Sequence, residues 1–457
     1  MNIGMFESFI TRHWFHPEAR ALWSDQATLQ AWLDVEAALA GAQADLGLVP
    51  AAAAERIASQ ADARRFDLEQ LAQEIAFAQH PLVPVLHAFE RLCGEPAAGY
   101  LHWGATTQNI FDTATALQML RTHDLIDAAL VRALDALGAI AREHRDTPMA
   151  GRTHGQQALP MTLGFKLAGW IDELARDRDR LIQRIRPCFP AFIGGAIGTH
   201  AAMGPQGPEV EARLAQRLGL LPAGMASRAS YDRTCDYVAA LGLLAGTAQK
   251  VAQDLVFLQR TEIGEACEAF HLGKIGSSTM AQKRNPSTAL LLASLARMLR
   301  ARVPLALEAM VRMDEGDSSA TNVTDCLIPE IAMLAASVAD TLARLVEGLV
   351  VFPERMAHNL ALTGGLITAE SAMMYLSAEM GRHQAHRLVY DAAQSALTEG
   401  VPLIDALRAH PHFRAAPWPA GLARALEPSA YVGASASLTD QVLMHRRTAP
   451  IRNPRLS

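Results

Sequence analysis

The residues best suited to chemistry lie in three polar stretches set between long apolar segments. "GSSTMAQKRNP" (276–286) places Gly276, Ser277 and Ser278 ahead of Lys283 and Asn285, and closes on Pro286. The glycine frees the backbone, the lysine and the amide offer a charge and donors suited to carboxylate oxygens, and proline is tolerated at the first position of a helix. "HWGATTQNIFDTA" (102–114) carries Thr106 and Thr107 at what reads as a helix start. Such a start is either a plain N-terminal cap or an anion site in which hydroxyls and free N–H groups hold a carboxylate. "AGRTHGQQALPMT" (150–162) sets Thr153, His154 and Gln156 around Gly155, just before another helical segment. A histidine there can give or take a proton near neutral pH, and the glycine admits a substrate closely; a purely structural imidazole is the competing reading.

Groups so remote in sequence need a rigid frame. Leu130, Leu134, Leu137 and Ala141 recur at helical steps within 112–144, and Trp170, Leu174, Leu181 and Ile185 share a second face. The charged run "RDRDR" (176–180) is expected on the opposite side of that second helix. Three further helical segments run over about 235–265, 286–313 and 328–350. Half of the residues are hydrophobic, and Ala and Leu outnumber β-branched and aromatic types, which favours helix. The expected fold is all-α with three helical domains: a cap over 1–107, a central long-helix bundle over 108–356 and a tail over 357–457. Faces this apolar would be left exposed in a monomer, which points to a homo-oligomer.

A net charge of −6 and a pI near 6.2 give no basic field for nucleic acid or an acidic membrane surface. The first twenty residues lack the pattern of a signal peptide and no uninterrupted apolar run reaches about 18 residues, so a soluble, cytoplasmic protein is expected. Five scattered cysteines show no CxxC and no Cys/His metal spacing, so no metal site is expected.

Taken jointly, the three stretches resemble the signature regions of the fumarase/aspartase superfamily of lyases. "GSSTMAQKRNP" is similar to that superfamily's GSSxMPxKxNP loop; the other two are similar to the HxGxTSxDxxDT and THGQxALP regions of the branch holding adenylosuccinate lyase and 3-carboxy-cis,cis-muconate cycloisomerase. Further likeness lies in "AFIGGAIGT" (191–199), "LQRTEIGEA" (258–266), "FPERM" (352–356) and "LEPSAYVGASASLTDQVL" (426–443). The resemblance implies proton removal beside a carboxylate and departure of a group from the neighbouring carbon, commonly leaving fumarate. It implies Ser277 as base and His154 as proton donor or leaving-group handler. Substrate-binding roles fall by the same likeness to Thr106, Thr107, Thr153, Gln156, Arg233, Ser278, Lys283 and Asn285. It also implies a homotetramer with active sites shared between subunits, a small di- or tricarboxylate substrate, and no metal or organic cofactor.

Departures from the pattern narrow the substrate. Ala281 replaces a proline, Thr107 a serine and Asn109 an aspartate. Where adenylosuccinate lyases carry cations for a nucleotide, this chain reads "MDEGDSSATNVTDC" (313–326), with "HWF" (13–15) in place of an Arg-Tyr-Ser, although His80 in "AQHPLV" does match that enzyme's pattern. "SYDRTCDY" (230–237) keeps only Asp232 and Arg233 of a Gln-Arg-Asp-Arg. Adenylosuccinate is therefore disfavoured, the cycloisomerase stands as the alternative, and a non-catalytic helical relative or a dicarboxylate-binding module remains open. Asp314, Glu315, Asp317 and Asp325 read as an acidic cluster, either a solvated loop or a wall facing a cationic end of the substrate.

Overall fold

The computed structural model describes residues 4–270, 279–415 and 417–448. Helix makes up 68% of the described residues, in keeping with the Ala/Leu-rich composition. The chain forms two compact units: Met1–Leu130, Arg176–Gln249 and Leu291–Leu342 in one, Val131–Ala175, Lys250–Leu290 and Ala343–Ser457 in the other. The long helices Thr107–Glu143, Leu163–Cys188, Asp232–Leu258 and Ser318–Glu347 each contribute residues to both.

The expected stripes are buried as drawn. Leu130, Leu134, Leu137 and Ala141 lie inside, as do Trp170, Leu174, Leu181 and Ile185; each fully buried leucine contributes about 1.5–3 kcal/mol. "RDRDR" does not keep to the outer face. Five consecutive residues sweep more than a full turn at 3.6 residues per turn, so one of them must point inward. That one is Asp177, 4% exposed, which accepts from Thr247 Oγ1 and Arg180 Nη1, each at 2.6 Å.

Two further segments differ from the expectation. The run over 286–313 breaks after Ser287–Arg300 and resumes as Val303–Glu308, because Pro304 has no N–H to continue the ladder. The next helix starts at Ser318 rather than near Ile328 and carries Pro329 inside it. Its start is set by Asp317, whose Oδ1 accepts from the Ser319 N–H at 2.9 Å and the Ser319 hydroxyl at 2.6 Å. This helix is long and apolar enough to cross a bilayer, with a mean hydropathy of 1.5 over its most apolar window, but 78% of that window is buried inside the protein, as in a core helix.

The second unit holds what little sheet there is among the described residues. Strands β1 (Pro148–Thr153) and β2 (Gln156–Thr162) form an antiparallel hairpin, and β3 (Ala266–Cys267) pairs with β4 (Val350–Val351). Its C-terminal helices Ala369–Met380 and Arg382–Glu399 close over Leu376, Leu388, Leu403 and Leu407.

Candidate active site

In the first unit, the 102–114 stretch is a helix start built by reciprocal capping. The Asn109 N–H donates to the Thr106 carbonyl at 2.9 Å, while Asn109 Oδ1 accepts from the Thr106 N–H at 3.1 Å and from the Gly195 N–H at 3.0 Å. An acceptor oxygen is all this position needs, so an amide serves where the family pattern has a carboxylate. Thr107 Oγ1 lies 3.4 Å from His80 Nε2, and His80 Nδ1 accepts from the Val83 N–H at 3.2 Å. With Nδ1 accepting, a neutral His80 carries its proton on Nε2, facing Thr107. Arg233, at the start of the Asp232–Leu258 helix in the same unit, donates to the Ala223 carbonyl at 3.2 Å.

The four acidic residues at 314–325 do not make one wall. Asp314 and Glu315 are exposed, and Asp317 spends its carboxylate on the helix start, where the Ser319 hydroxyl and the Met313 and Ser319 N–H groups pull it down to about 2. Asp325 instead joins Asp112 around a cavity of about 240 Å3, walled by Trp23, Trp32, Phe111 and Tyr231. Burial raises Asp112 from 3.8 to about 6, against the pull of its bond from Gln108 and of Arg312 and Arg228, with Asp325 pushing it further up.

A pH dependence follows. Between 3.8 and about 6 the folded protein keeps a proton on Asp112 that the unfolded chain has released, so this carboxyl destabilises the fold increasingly as pH rises through that window. Asp112→Asn should therefore raise Tm relative to the parent at pH 7, with the gain shrinking toward nothing near pH 4 in scanning calorimetry. A gain that does not vary with pH would assign the effect to something other than this ionisation.

In the second unit, 150–162 is the β1–β2 hairpin and not a simple lead-in to the next helix, which begins at Leu163. Thr153 pairs with Gln156 across a two-residue turn in which His154 (φ 52°) and Gly155 (φ 79°) both adopt left-handed backbone. Two positive φ values in sequence match a two-residue hairpin turn that follows the twist of its strands. Thr153, His154 and Gln156 are exposed at its tip. Among the described residues, the His154 ring makes no hydrogen bond.

Ser277 and Ser278 lie outside the described residues. Described residues on either side of them share one side chain: Gln259 Oε1 accepts from the Glu268 N–H at 3.0 Å and Gln259 Nε2 donates to the Arg284 carbonyl at 3.1 Å. Lys283 and Asn285 line a cavity of about 1130 Å3 with Arg260, Arg284, Glu262 and Glu268. Pro286 precedes the helix Ser287–Arg300, whose first N–H groups are taken by Glu268: Thr288 N at 2.9 Å and Ala289 N at 3.1 Å reach its Oε2. With those donors occupied, a substrate anion here must be held by side chains. Thr153, His154 and Gln156 do not line this cavity, and Thr106, Thr107 and Arg233 belong to the first unit.

A family model described as Lyase matches residues 13–301, and one described as Adenylosuccinate lyase C-terminus matches 365–442. The chain belongs to the fumarase/aspartase superfamily of lyases. This lyase is 38% identical to the N-acetyl-S-(2-succino)cysteine lyase of Dickeya dadantii, over 94% of each chain. It is also 38% identical to the 3-carboxy-cis,cis-muconate cycloisomerase of Bradyrhizobium diazoefficiens, over 93% of this chain and 95% of that one. The crystal structure of 3-carboxy-cis,cis-muconate lactonizing enzyme from Pseudomonas putida superposes with a TM-score of 0.89 at 36% identity, covering 95% of the lyase and 98% of that chain.

Sequence reasoning left two contacts of the lyase unseen. His102, with φ 55°, sets its Nδ1 2.6 Å from Oε1 of Glu36, which is 2% exposed, and Gln43 Nε2 donates to the Trp103 carbonyl at 2.6 Å. Both partners sit on the helix Asp25–Ala44. A glutamate inside an Ala-rich helix was the available signal, since a carboxylate is seldom buried there unless paired.

Proposed function

We propose that this lyase removes a substituent from a 2-substituted succinate, breaking a C–S or C–N bond and releasing fumarate. The observation that carries the reading is the wall formed by Lys283 and Asn285 on the large cavity at the start of the Ser287–Arg300 helix. A cation and an amide suit the carboxylate that gathers charge when its neighbouring carbon loses a proton. In the proposed reaction Ser277, as its alkoxide, takes that proton. The C–H electron pair becomes the new double bond, the C–S or C–N pair leaves with sulfur or nitrogen, and His154 supplies the proton that neutralises the leaving thiolate or amide anion. Thr106 and Thr107 hold a carboxylate, Thr153, Gln156 and Ser278 support the bound substrate, and Arg233 is kept as a further anion contact. The superfamily resemblance supports a cytoplasmic homotetramer in which each site draws on several subunits, with no metal or organic cofactor. It likewise supports the three-domain division at 107 and 356.

Sulfur is placed beside nitrogen because the Dickeya relative is named for a thioether of succinate. A nucleotide substrate is disfavoured because Asp325 and Gly316 stand where adenylosuccinate lyases carry arginines. The second reading, lactone formation from a carboxymuconate, has the Pseudomonas putida structure in its favour. Fumarate release is to be followed by ultraviolet absorbance with S-(2-succino)cysteine, its N-acetyl form, N-succinyl amino acids, adenylosuccinate and 3-carboxy-cis,cis-muconate. Turnover of the thioethers or amines at least tenfold above adenylosuccinate is expected. Consumption of the muconate alone, with no fumarate from any other compound, would replace this reading with the second.

A further inference from the structure

Among the described residues the His154 ring has no hydrogen bond, so the position of that imidazole depends on what fixes the base of the hairpin. The last strand pair before the turn's own flanking residues is Arg152 opposite Gln157. Arg152 makes a two-pronged ion pair with Glu265, Nη2 to Oε1 at 2.6 Å and Nη1 to Oε2 at 2.9 Å, and the Glu265 side chain is 0% exposed. Asn359 Nδ2 donates to the same Glu265 Oε1 at 2.7 Å, and Gln157 Nε2 donates to the Asn359 carbonyl at 2.8 Å. The contacts close a ring from β1 through Glu265 and Asn359 back to β2.

The anchor itself is held firmly. The Glu265 N–H donates to the Leu258 carbonyl at 2.9 Å, its carbonyl accepts from the Phe352 N–H at 3.0 Å, and the Arg152 guanidinium lies over the Phe257 ring at 5.4 Å. A register irregularity falls between Gly151 and Arg152, at the strand position where the clamp grips. A bulge re-aims the side chains beyond it, and here the next residues are Thr153 and His154.

We infer that Glu265 is a positioning residue for His154: the Arg152–Glu265–Asn359–Gln157 ring sets the angle at which the turn presents the imidazole. The inference rests on the reading of His154 as the proton donor. A buried two-pronged ion pair is costly to break on one side, because the remaining charge is left uncompensated. Groups that orient an acting residue change rates by about 10- to 100-fold when altered.

Glu265→Gln keeps the shape and removes the charge. In the full-length protein it should lower kcat by about 10- to 100-fold with KM changed by less than about threefold. The deciding measurement is made in the His154→Asn background, where adding Glu265→Gln should cause no further loss in kcat. Loss by the same factor in both backgrounds would reduce Glu265 to a structural residue and overturn the inference. Wild-type kcat in Glu265→Gln would overturn it too. Wild-type kcat in His154→Asn alone would instead remove the assignment of His154, together with what rests on it. Should Glu265→Gln fail to fold, Gln157→Leu opens the ring on its β2 side, leaves the ion pair intact, and is read by the same comparison.

Discussion

Alanine at position 277 is expected to lower kcat by about 10^3- to 10^4-fold, the upper part of the range for losing a positioned base. The proton to be removed is on a carbon beside a carboxylate, and no water held at random replaces an oxygen fixed against it. Binding of fumarate should survive, within about threefold by calorimetry, because Lys283 and Asn285 remain in place and an alanine removes only one hydroxyl. Position 277 lies in a segment whose flanks are both tied to Gln259, through the Glu268 N–H and the Arg284 carbonyl. Loss of the hydroxyl therefore need not displace the cation and amide that follow. Ser278→Ala serves as the neighbour control and should cost less than about tenfold. Activity above a tenth of the parent in the Ser277→Ala protein would place the base elsewhere and undo the elimination mechanism.

What the sequence disclosed depended on how local the cause was. Helical stripes are a matter of 3.6-residue periodicity, so Leu130 to Ala141 and Trp170 to Ile185 could be read directly. The hairpin over 148–162 is not legible in the pattern of apolar residues, because its signal is two residues in left-handed backbone. Histidine at the first of those positions speaks for chemistry and gives no hint of its φ of 52°. Asp317 reads in the sequence as part of an acidic cluster, either a solvated loop or a wall, and its use as a helix cap depends on Ser319 two residues on, a pattern local enough to be legible. Glu36, Asp177 and Glu265 are buried carboxylates that each have a partner far along the chain, 66, 70 and 113 residues away. No spacing rule in a single sequence reports such pairs, because they are created when distant segments pack together and not by any one segment.

Lys283→Met is expected to lower kcat/KM by about 10^2- to 10^3-fold, with the larger share in kcat. The reason lies in where the charge grows. The bound carboxylate carries one negative charge before the reaction and close to two once the neighbouring carbon has lost its proton, so a cation beside it gains most at the transition state. The other cations of the cavity are poor substitutes: Arg260 lies over the Phe257 ring at 5.3 Å and Arg284 over the Phe270 ring at 4.3 Å. The helix start cannot compensate either, since Glu268 occupies its Thr288 and Ala289 N–H groups. Lys283→Arg keeps the charge but spreads it over a planar fork, and should retain about a tenth of the parent's kcat/KM. Steady-state kinetics separate the possibilities: a rise in KM at unchanged kcat in Lys283→Met would mean that this lysine holds substrate and transition state equally, and that the charge of the reacting carboxylate is met by some other group.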